Sequence, residues 1–198
     1  MVVALRHSRW LWLAVGLLAG VVIGGFLPST PLHAVATDRS ENILMATGFV
    51  DEQIEAVFFL DSLTGLLRAA VPSLQRASEY QAMWEANVGA DMLAAIKTVN
   101  TAAATLSGGK GNAARPVIQP PQTPRFVMVT GLMDLRQGSS RMRPSRCVVH
   151  VAEANTGIVM TYVLPWSIQM HNANQPLRMA MLLWAAQQFS TAVIRPQE

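Results

Sequence analysis

The sequence has few of the residues on which several common kinds of site depend. It contains one cysteine in 198 residues, which excludes a framework of disulfide bonds and any metal site built from several thiolates. Charged residues make up 14% of the chain and apolar residues 51%, whereas an average soluble protein is about 25% charged. That balance excludes an intrinsically disordered chain, which needs high net charge and few apolar residues.

Familiar catalytic and ligand-binding motifs are also missing from the sequence. There is no His-Glu-x-x-His, and no two of the four histidines have the spacing of metal ligands. There is no Gly-x-Ser-x-Gly, so a nucleophile elbow is not predicted. The glycine-rich residues 108–112 do not end in the Lys-Ser/Thr of a phosphate-binding loop. We therefore predict no cofactor and no metal.

The first 36 residues have the order of features that is typical of an export signal. Arg6 and Arg9 precede an uncharged apolar run of 18 residues, from 10 to 27. As a helix this run would be about 27 Å long, close to the roughly 30 Å hydrocarbon core of a bilayer. The two arginines predict a cytoplasmic N-terminus and an extracytoplasmic position for residues 37–198. We expect the N-terminal helix to bring the chain to a membrane.

The sequence leaves open whether this leader is removed. Ala34-x-Ala36 matches the small-x-small pattern that signal peptidase cleaves, and cleavage after Ala36 predicts a secreted or periplasmic protein. The apolar run is longer than a usual signal segment, and Gly16, Gly20 and Gly24 form the kind of small-residue stripe that lets membrane helices pack closely. These features favour a retained membrane anchor.

The charges of the remaining chain are divided between its halves. Residues 37–96 contain nine acids and three bases, and residues 97–198 contain ten bases and three acids. The acidic and basic halves nearly cancel, so the basic isoelectric point does not predict a nucleic-acid partner. Opposite charge on the two halves favours contact between them, within one chain or between neighbouring copies.

The pattern of strands and turns divides residues 37–198 into three parts. We predict a first β unit at 37–96, a flexible linker rich in small residues, glycine and proline at 97–124, and a second β unit at 125–198. Each unit contains an apolar strand, an acid-x-x-Thr-Gly turn and a returning apolar strand. The turns start at Asp61 and at Glu153, and glycine supplies the positive φ that such a turn needs.

The similarity of the halves extends beyond the turns. Leu44-Met-Ala-Thr-Gly-Phe-Val-Asp matches Val127-Met-Val-Thr-Gly-Leu-Met-Asp, and Met83-Trp84 corresponds more weakly to Leu183-Trp184. We interpret the two units as related copies, the second lengthened by nine residues at 137–145. The acid-x-x-Thr-Gly hairpin resembles the inner hairpin of WD-type and quinoprotein-type propeller blades.

A second resemblance lies in the leader. Residues 25–42 read GFLPSTPLHAVATDRSEN, and with the two hairpins behind them they resemble a family of uncharacterised exported bacterial proteins. The resemblance implies the same export route and a β-rich repeat domain, and it implies no activity.

The predicted fold class is mainly β: an N-terminal transmembrane or signal helix followed by two related antiparallel, propeller-blade-like β units. Two segments also have helical features. Apolar residues at every fourth position in 78–98, and Pro176 followed by helical spacing in 176–189, allow an α+β alternative in which helices pack on a sheet. The repeat favours strands at both places.

The candidate binding site is an arginine loop on the lengthened second unit. Its four guanidinium groups belong to Arg136, Arg141, Arg143 and Arg146. Guanidinium groups bind phosphate, sulfate and carboxylate groups through paired hydrogen bonds. No aromatic residues are interleaved with them, so single-stranded nucleic acid is not the predicted ligand.

Other chemistry-bearing residues have a plainer interpretation. Asp51, Glu52, Glu55 and Asp61 are four acids within eleven residues; they suit a solvated rim, with a glycosidase-like pair as the alternative. Cys147 stands among apolar residues, as a core thiol would.

The leading hypothesis is therefore a non-enzymatic protein that acts by association or scaffolding at the cell envelope, with a homo-oligomer or an envelope protein as partner. Two alternatives stay open at this point. One is an extracytoplasmic protein that binds an anion or a glycan through the arginine loop. The other is an exported hydrolase that uses the clustered carboxylates.

Overall fold

The computed structural model describes residues 12, 14–18, 37–107, 117–135 and 142–190. The chain divides into two units, Met1–Ala34 and Val35–Glu198. Nearly all of the predicted leader at 1–36 lies outside the described residues. Within the part of the chain that is described, no helix is both long and apolar enough to cross a membrane.

The described residues of the second unit form ten strands and two helices, and the expectation of a mainly β fold is confirmed. The strands are β1 Thr37–Arg39, β2 Ile43–Asp51, β3 Ile54–Asp61, β4 Leu66–Pro72, β5 Tyr80–Asn87, β6 Phe126–Leu132, β7 Arg143–Glu153, β8 Ile158–Trp166, β9 Leu177–Ala180 and β10 Leu182–Gln188. The helices are α1 Val88–Ser107 and α2 Ile168–Asn172.

The strands form two sheets. The first has six strands in the order β1-β2-β3-β4-β5-β9, and the second has four in the order β10-β8-β7-β6. All neighbouring strands are antiparallel except β5 and β9, which are parallel. Strand β9 comes from the predicted second unit but belongs to the first sheet, so the boundary between the two units is not a boundary between the sheets.

The inner faces of both sheets and one side of α1 share a single hydrophobic core. Alternate residues along β3 and β4 are buried, as a strand with one covered face requires. Strand β2 lies against β6 and β7, and Gly48 faces Thr130 and Cys147 at this crossing. A Cβ at Gly48 would overlap Cys147 Sγ and lie 3.2 Å from Thr130 Cβ, so this crossing requires glycine.

Helix α1 corrects two expectations. The segment 78–98 is neither all strand nor all helix, because β5 ends at Asn87, whose side chain accepts a hydrogen bond from Ala90 N at 2.9 Å and so caps a helix. The apolar residues at every fourth position become the buried side of that helix from Val88 onward. The helix continues to Ser107, so the first part of the predicted linker 97–124 is helical.

The later part of that segment is also attached to the domain. Asn100 Nδ2 donates to Ile118 O, and Ile118 N donates to Asn100 Oδ1, both at 2.9 Å. Ile118 packs against the core. The α+β alternative is wrong at 176–189, where the chain forms β9 and β10.

The two acid-x-x-Thr-Gly turns have the expected geometry. Gly65 and Gly157 have φ values of 68° and 67°, and each donates its N–H to the carbonyl of the acid four residues earlier at 2.9 Å. The Thr64 hydroxyl donates to Asp61 Oδ2 and the Thr156 hydroxyl to Glu153 Oε2, both at 2.8 Å. The acid side chain therefore stabilises the turn in both sheets, and the positive φ of each glycine agrees with the sequence prediction.

Candidate functional site

The arginine loop is only partly within the described residues. Arg136 and Arg141 lie outside them. Arg143 is exposed at the start of β7, opposite Trp166 in the ladder with β8. Arg146 Nη1 lies 3.7 Å from Glu52 Oε1, whose side chain is 80% exposed. An exposed ion pair of this kind contributes about 0–1 kcal/mol, and it joins the acidic and basic halves within one chain.

The structure separates only Asp61 from the other candidate carboxylates, because Asp51, Glu52 and Glu55 lie at the β2–β3 hairpin and Asp61 lies at the far end of β3. Glu55 and Asp61 lie six residues apart on β3, which is about 20 Å along a strand. Asp51 Oδ2 accepts a hydrogen bond from Trp166 Nε1 at 3.1 Å. Asp61 holds its turn, and hydrogen bonds from Thr64 and Leu63 keep its pKa below the usual 3.8. Among the described residues, no group of three or more His, Cys, Asp or Glu could hold a metal ion.

The single thiol is a core residue, as predicted. Cys147 is fully buried beneath β2, and burial, together with the charge of Glu55, raises its pKa to about 12. A buried, protonated thiol is a poor nucleophile and cannot meet a second copy at the surface.

His171 lies in a polar pocket of the core that the sequence did not predict. It is buried on α2, with its ring 5.1 Å from the Trp166 ring. Neither ring nitrogen has a hydrogen-bond partner within the described part of the chain. Burial disfavours the imidazolium and lowers the pKa of His171, and the charge of Asp51 opposes this shift in part.

Gln81 on β5 ties the same pocket to α2. Its amide nitrogen donates to the carbonyls of Met170, His171 and Gln175, at 3.0 to 3.2 Å. The indoles of Trp84 and Trp166 lie 6.0 Å apart beside it. We assign this cluster to the joint between β5 and the chain that leads from β8 to β9, because its hydrogen bonds connect those segments.

Strand β10 is the most unusual surface feature of the domain. It lies at one edge of the second sheet, and six of its seven residues are exposed, on both faces of the strand. Trp184 is 53% exposed and Leu182 49%. The signal was present in the sequence as residues 179–189, MAMLLWAAQQF, which contain no charge. An exposed, uncharged edge strand is a template for pairing with another chain.

The corresponding strand of the first sheet is protected. In β5, Gln81, Ala82 and Trp84 are buried, and β9 pairs along its outer side from Ala82 to Glu85. No strand pairs with the outer side of β10 within the described part of the chain. The two sheets therefore differ in whether their last antiparallel strand is covered.

The outer face of the second sheet continues the uncharged surface inward from β10. The ladders place uncharged side chains side by side across all four strands. These are Val127, Val129, Val148, His150, Ala152, Val159, Thr161, Val163, Leu182, Ala185 and Gln187. All are exposed or half-buried except Val148 and Val163, which are buried. His150 Nδ1 is within 2.9 Å of Thr161 Oγ1, so its polar edge is satisfied inside the sheet.

A cleft of about 660 Å³ adjoins the start of β10 at Leu183. Its acidic groups already have partners, because Glu85 pairs with Arg68 at 3.0 Å and Asp91 accepts a hydrogen bond from the Tyr162 hydroxyl at 2.9 Å. Burial raises the pKa of Tyr162, which keeps that hydroxyl protonated as a donor. The cleft therefore offers no acidic group without a partner, and we do not assign it a catalytic role.

Comparison of this chain with protein-family models, with curated proteins and with solved structures gave no match.

Proposed function

We propose that this chain is an exported, non-enzymatic protein that works by associating with other protein chains at the cell envelope. The observation that carries the proposal is β10, an edge strand of seven uncharged residues that is exposed on both faces. A strand edge supplies backbone hydrogen bonds, and its apolar side chains supply burial. Association between chains uses both the unpaired backbone groups and the apolar side chains, whereas exposed edges of this kind promote aggregation of a soluble monomer.

The surroundings of β10 support the same function. The outer face of the second sheet carries no charged side chain at its described ladder positions. Contiguous apolar surface of more than a few hundred Å² marks interaction sites on soluble proteins. The hydrolase alternative has no comparable support, because Asp61 lies at the other end of β3 from Glu55 and Asp51 Oδ2 accepts a hydrogen bond from the Trp166 indole.

We also propose that the two antiparallel sets of strands are related copies. In each, three hairpin-connected strands are followed by a fourth, giving β2-β3-β4-β5 and β6-β7-β8-β10. The matching turns at Asp61–Gly65 and Glu153–Gly157 support this relation. On this view β5 and β10 are equivalent strands, and of these two β10 is the one that has no strand on its outer side within the described residues.

We base the proposed location of the protein on its N-terminal leader. Arg6 and Arg9 before the apolar run favour a cytoplasmic N-terminus, with residues 37–198 outside the membrane. Cleavage after Ala36 would give a secreted or periplasmic form of the same domain. A reporter fused to the C-terminus should therefore be extracytoplasmic, and a cytoplasmic reporter would contradict this part of the proposal.

Association is tested on the full-length chain in its own envelope by chemical cross-linking. We expect wild type to form cross-linked species of higher mass, and Leu182→Lys with Trp184→Lys to lose most of them. The matched control is Leu63→Lys with Leu74→Lys, which charges two hydrophobic residues that are 76% and 74% exposed outside β10. Wild type without any cross-linked protein, or equal loss in both variants, would contradict the proposal.

The part played by the arginine loop stays a prediction. Arg146 already faces Glu52 within the chain, and any intermolecular contact of the loop competes with that pair. Replacing Arg141, Arg143 and Arg146 by Glu should weaken association most at low salt, because a Debye length of about 8 Å at 0.15 M screens such charges.

A further inference from the structure

We infer that the partner of β10 is β10 of a second copy, paired antiparallel about a two-fold axis at Ala185, so that two four-stranded sheets become one of eight strands. This inference rests on the proposed function and names its partner. A two-fold interface of this kind uses the same surface on both subunits and is closed, so it ends at a dimer.

The first argument comes from β5, the strand of the first sheet that is equivalent to β10. The outer side of β5 is covered by one strand, β9, which is continuous with β10 apart from Met181. The outer side of β5 is therefore covered by the chain's own β9, whereas no described strand pairs with the outer side of β10. A single additional strand is what β10 lacks, and a second copy offers one with the same uncharged character.

The second argument is the order of side-chain sizes along β10. The strand begins with Leu182, Leu183 and Trp184 and ends with Ala185, Ala186, Gln187 and Gln188. Full overlap of two antiparallel copies places the axis at the central residue, Ala185. Trp184 of each copy then lies opposite Ala186 of the other, and Leu183 lies opposite Gln187. Large side chains meet small or polar ones, whereas a parallel pairing in register would place Trp184 against Trp184.

The third argument is charge. Directly opposed like charges destabilise a strand pair, and protein edges often use lysine or other charges to prevent pairing. Residues 179–189 have none. Helix α1 lies beside β10, and its only charged residues are Asp91 and Lys97. Asp91 is already hydrogen-bonded to Tyr162. Two copies can therefore approach along β10 without repulsion.

The irregularity of β10 and the size of the contact limit its strength. The ladder with β8 shifts between Leu183 and Ala185, so Trp184 lies at a bulge. Pairing of two seven-residue strands covers less than the roughly 800 Å² per partner of a stable interface. We therefore expect a weak, reversible dimer whose population depends on protein concentration.

The test is a charge swap at the axis, read by light scattering of the full-length chain in a mild detergent. Ala185 is exposed and pairs with Thr161 on the outer face, so a charge there should be compatible with folding. We expect Ala185→Lys alone and Ala185→Glu alone to raise the dimer dissociation constant at least tenfold. A mixture of the two should recover the dimer, because opposite charges then meet across the axis. Circular dichroism checks that both variants are folded.

A cysteine pair gives the second measurement. Residues opposite each other in an antiparallel pair have Cα atoms about 4.5–5.5 Å apart, within the range that a disulfide spans. Ala185→Cys, in a background with Cys147→Ala, should oxidise to a covalent dimer. The control, Leu63→Cys in the same background, lies in an exposed turn and should not.

The outcomes separate this inference from the proposed function. Dimers that ignore the charge at Ala185, or equal oxidation of both cysteine variants, would overturn pairing through β10 and leave association intact. A chain that is monomeric at every concentration would overturn self-pairing. The proposed function would fall with it only if wild type also forms no cross-linked species in its envelope.

Discussion

The buried carboxylate of Glu153 should contribute far more to stability than its counterpart in the other turn. Glu153 is fully buried, and its two oxygens accept four hydrogen bonds. The donors are Arg125 N, Asn155 Nδ2, Thr156 N and the Thr156 hydroxyl, at 2.7 to 2.9 Å. Glu153→Gln keeps the shape and replaces one of these acceptor oxygens by an amide NH₂ group. At least one donor then loses its acceptor, whichever way the amide is turned.

The magnitude follows from this count. If the NH₂ group faces Thr156, the hydroxyl can rotate and accept, but the backbone N–H of Thr156 cannot. A buried donor left without an acceptor costs about 1–3 kcal/mol, and the bonds that remain lose the benefit of a charged acceptor. We expect a total loss of about 3 kcal/mol. For a chain of this length each kcal/mol lowers Tm by about 2–4 °C, so the fall should be roughly 6–12 °C.

The matched control is Asp61→Asn, which changes the same kind of turn where water can replace the lost bonds. Asp61 and Thr64 make the corresponding hydrogen bond at 2.8 Å, but this turn is exposed to solvent. Thermal unfolding followed by circular dichroism should show a clearly smaller fall in Tm for Asp61→Asn. Equal falls in the two variants, or an unchanged Tm for Glu153→Gln, would refute the reasoning that burial makes the difference.

Two further predictions concern the core. The pKa of His171 lies below its ordinary 6.5 in the folded protein, so the neutral ring favours folding fully above pH 6.5 and this stabilisation is lost as the pH falls. Between pH 7.5 and 5.5 the wild-type free energy of unfolding in urea should therefore drop more than that of His171→Phe, by up to about 1.4 kcal/mol per pH unit. Parallel pH curves for the two proteins would contradict this. Gly48→Ala should destabilise by about 1–3 kcal/mol through overpacking, and the cost should shrink when Cys147→Ala removes the overlapping sulfur; additive effects in the double mutant would show that the crossing relaxes in another way.

Local features of this fold could be predicted from the sequence because they are decided by neighbours along the chain. The turn at Asp61–Gly65 needs a carboxylate, a hydroxyl and a residue that accepts positive φ, and all three lie within five positions. The apolar spacing from Val88 to Ile96 gives the buried side of α1 in the same way. The local pattern did not show where β5 ends. In the structure it ends at Asn87, whose side chain caps helix α1.

Properties that depend on distant parts of the chain required the tertiary structure. Glu153 and Asp61 occupy the same place in the same motif, yet Glu153 is buried and accepts a hydrogen bond from the remote Arg125 N, whereas the turn at Asp61 is exposed to solvent. Strand β9 pairs with β5 across 95 positions, as the match of Ala82 to Leu177 shows. A segment's composition does not record which remote strand lies beside it, so no pattern in residues 177–188 indicated that β9 would pair with β5 and that β10 would pair with β8.

The candidate site shows the same division. The sequence contained the uncharged residues 179–189, but such a run suits a buried central strand as well as an exposed edge. The arginine loop drew attention because four like charges lie close in sequence, and the fold places Arg146 against Glu52 of the other half. Composition determined that β10 would be uncharged and able to pair. Only the tertiary structure, in which β9 pairs with the outer side of β5, decided that no described strand covers the outer side of β10.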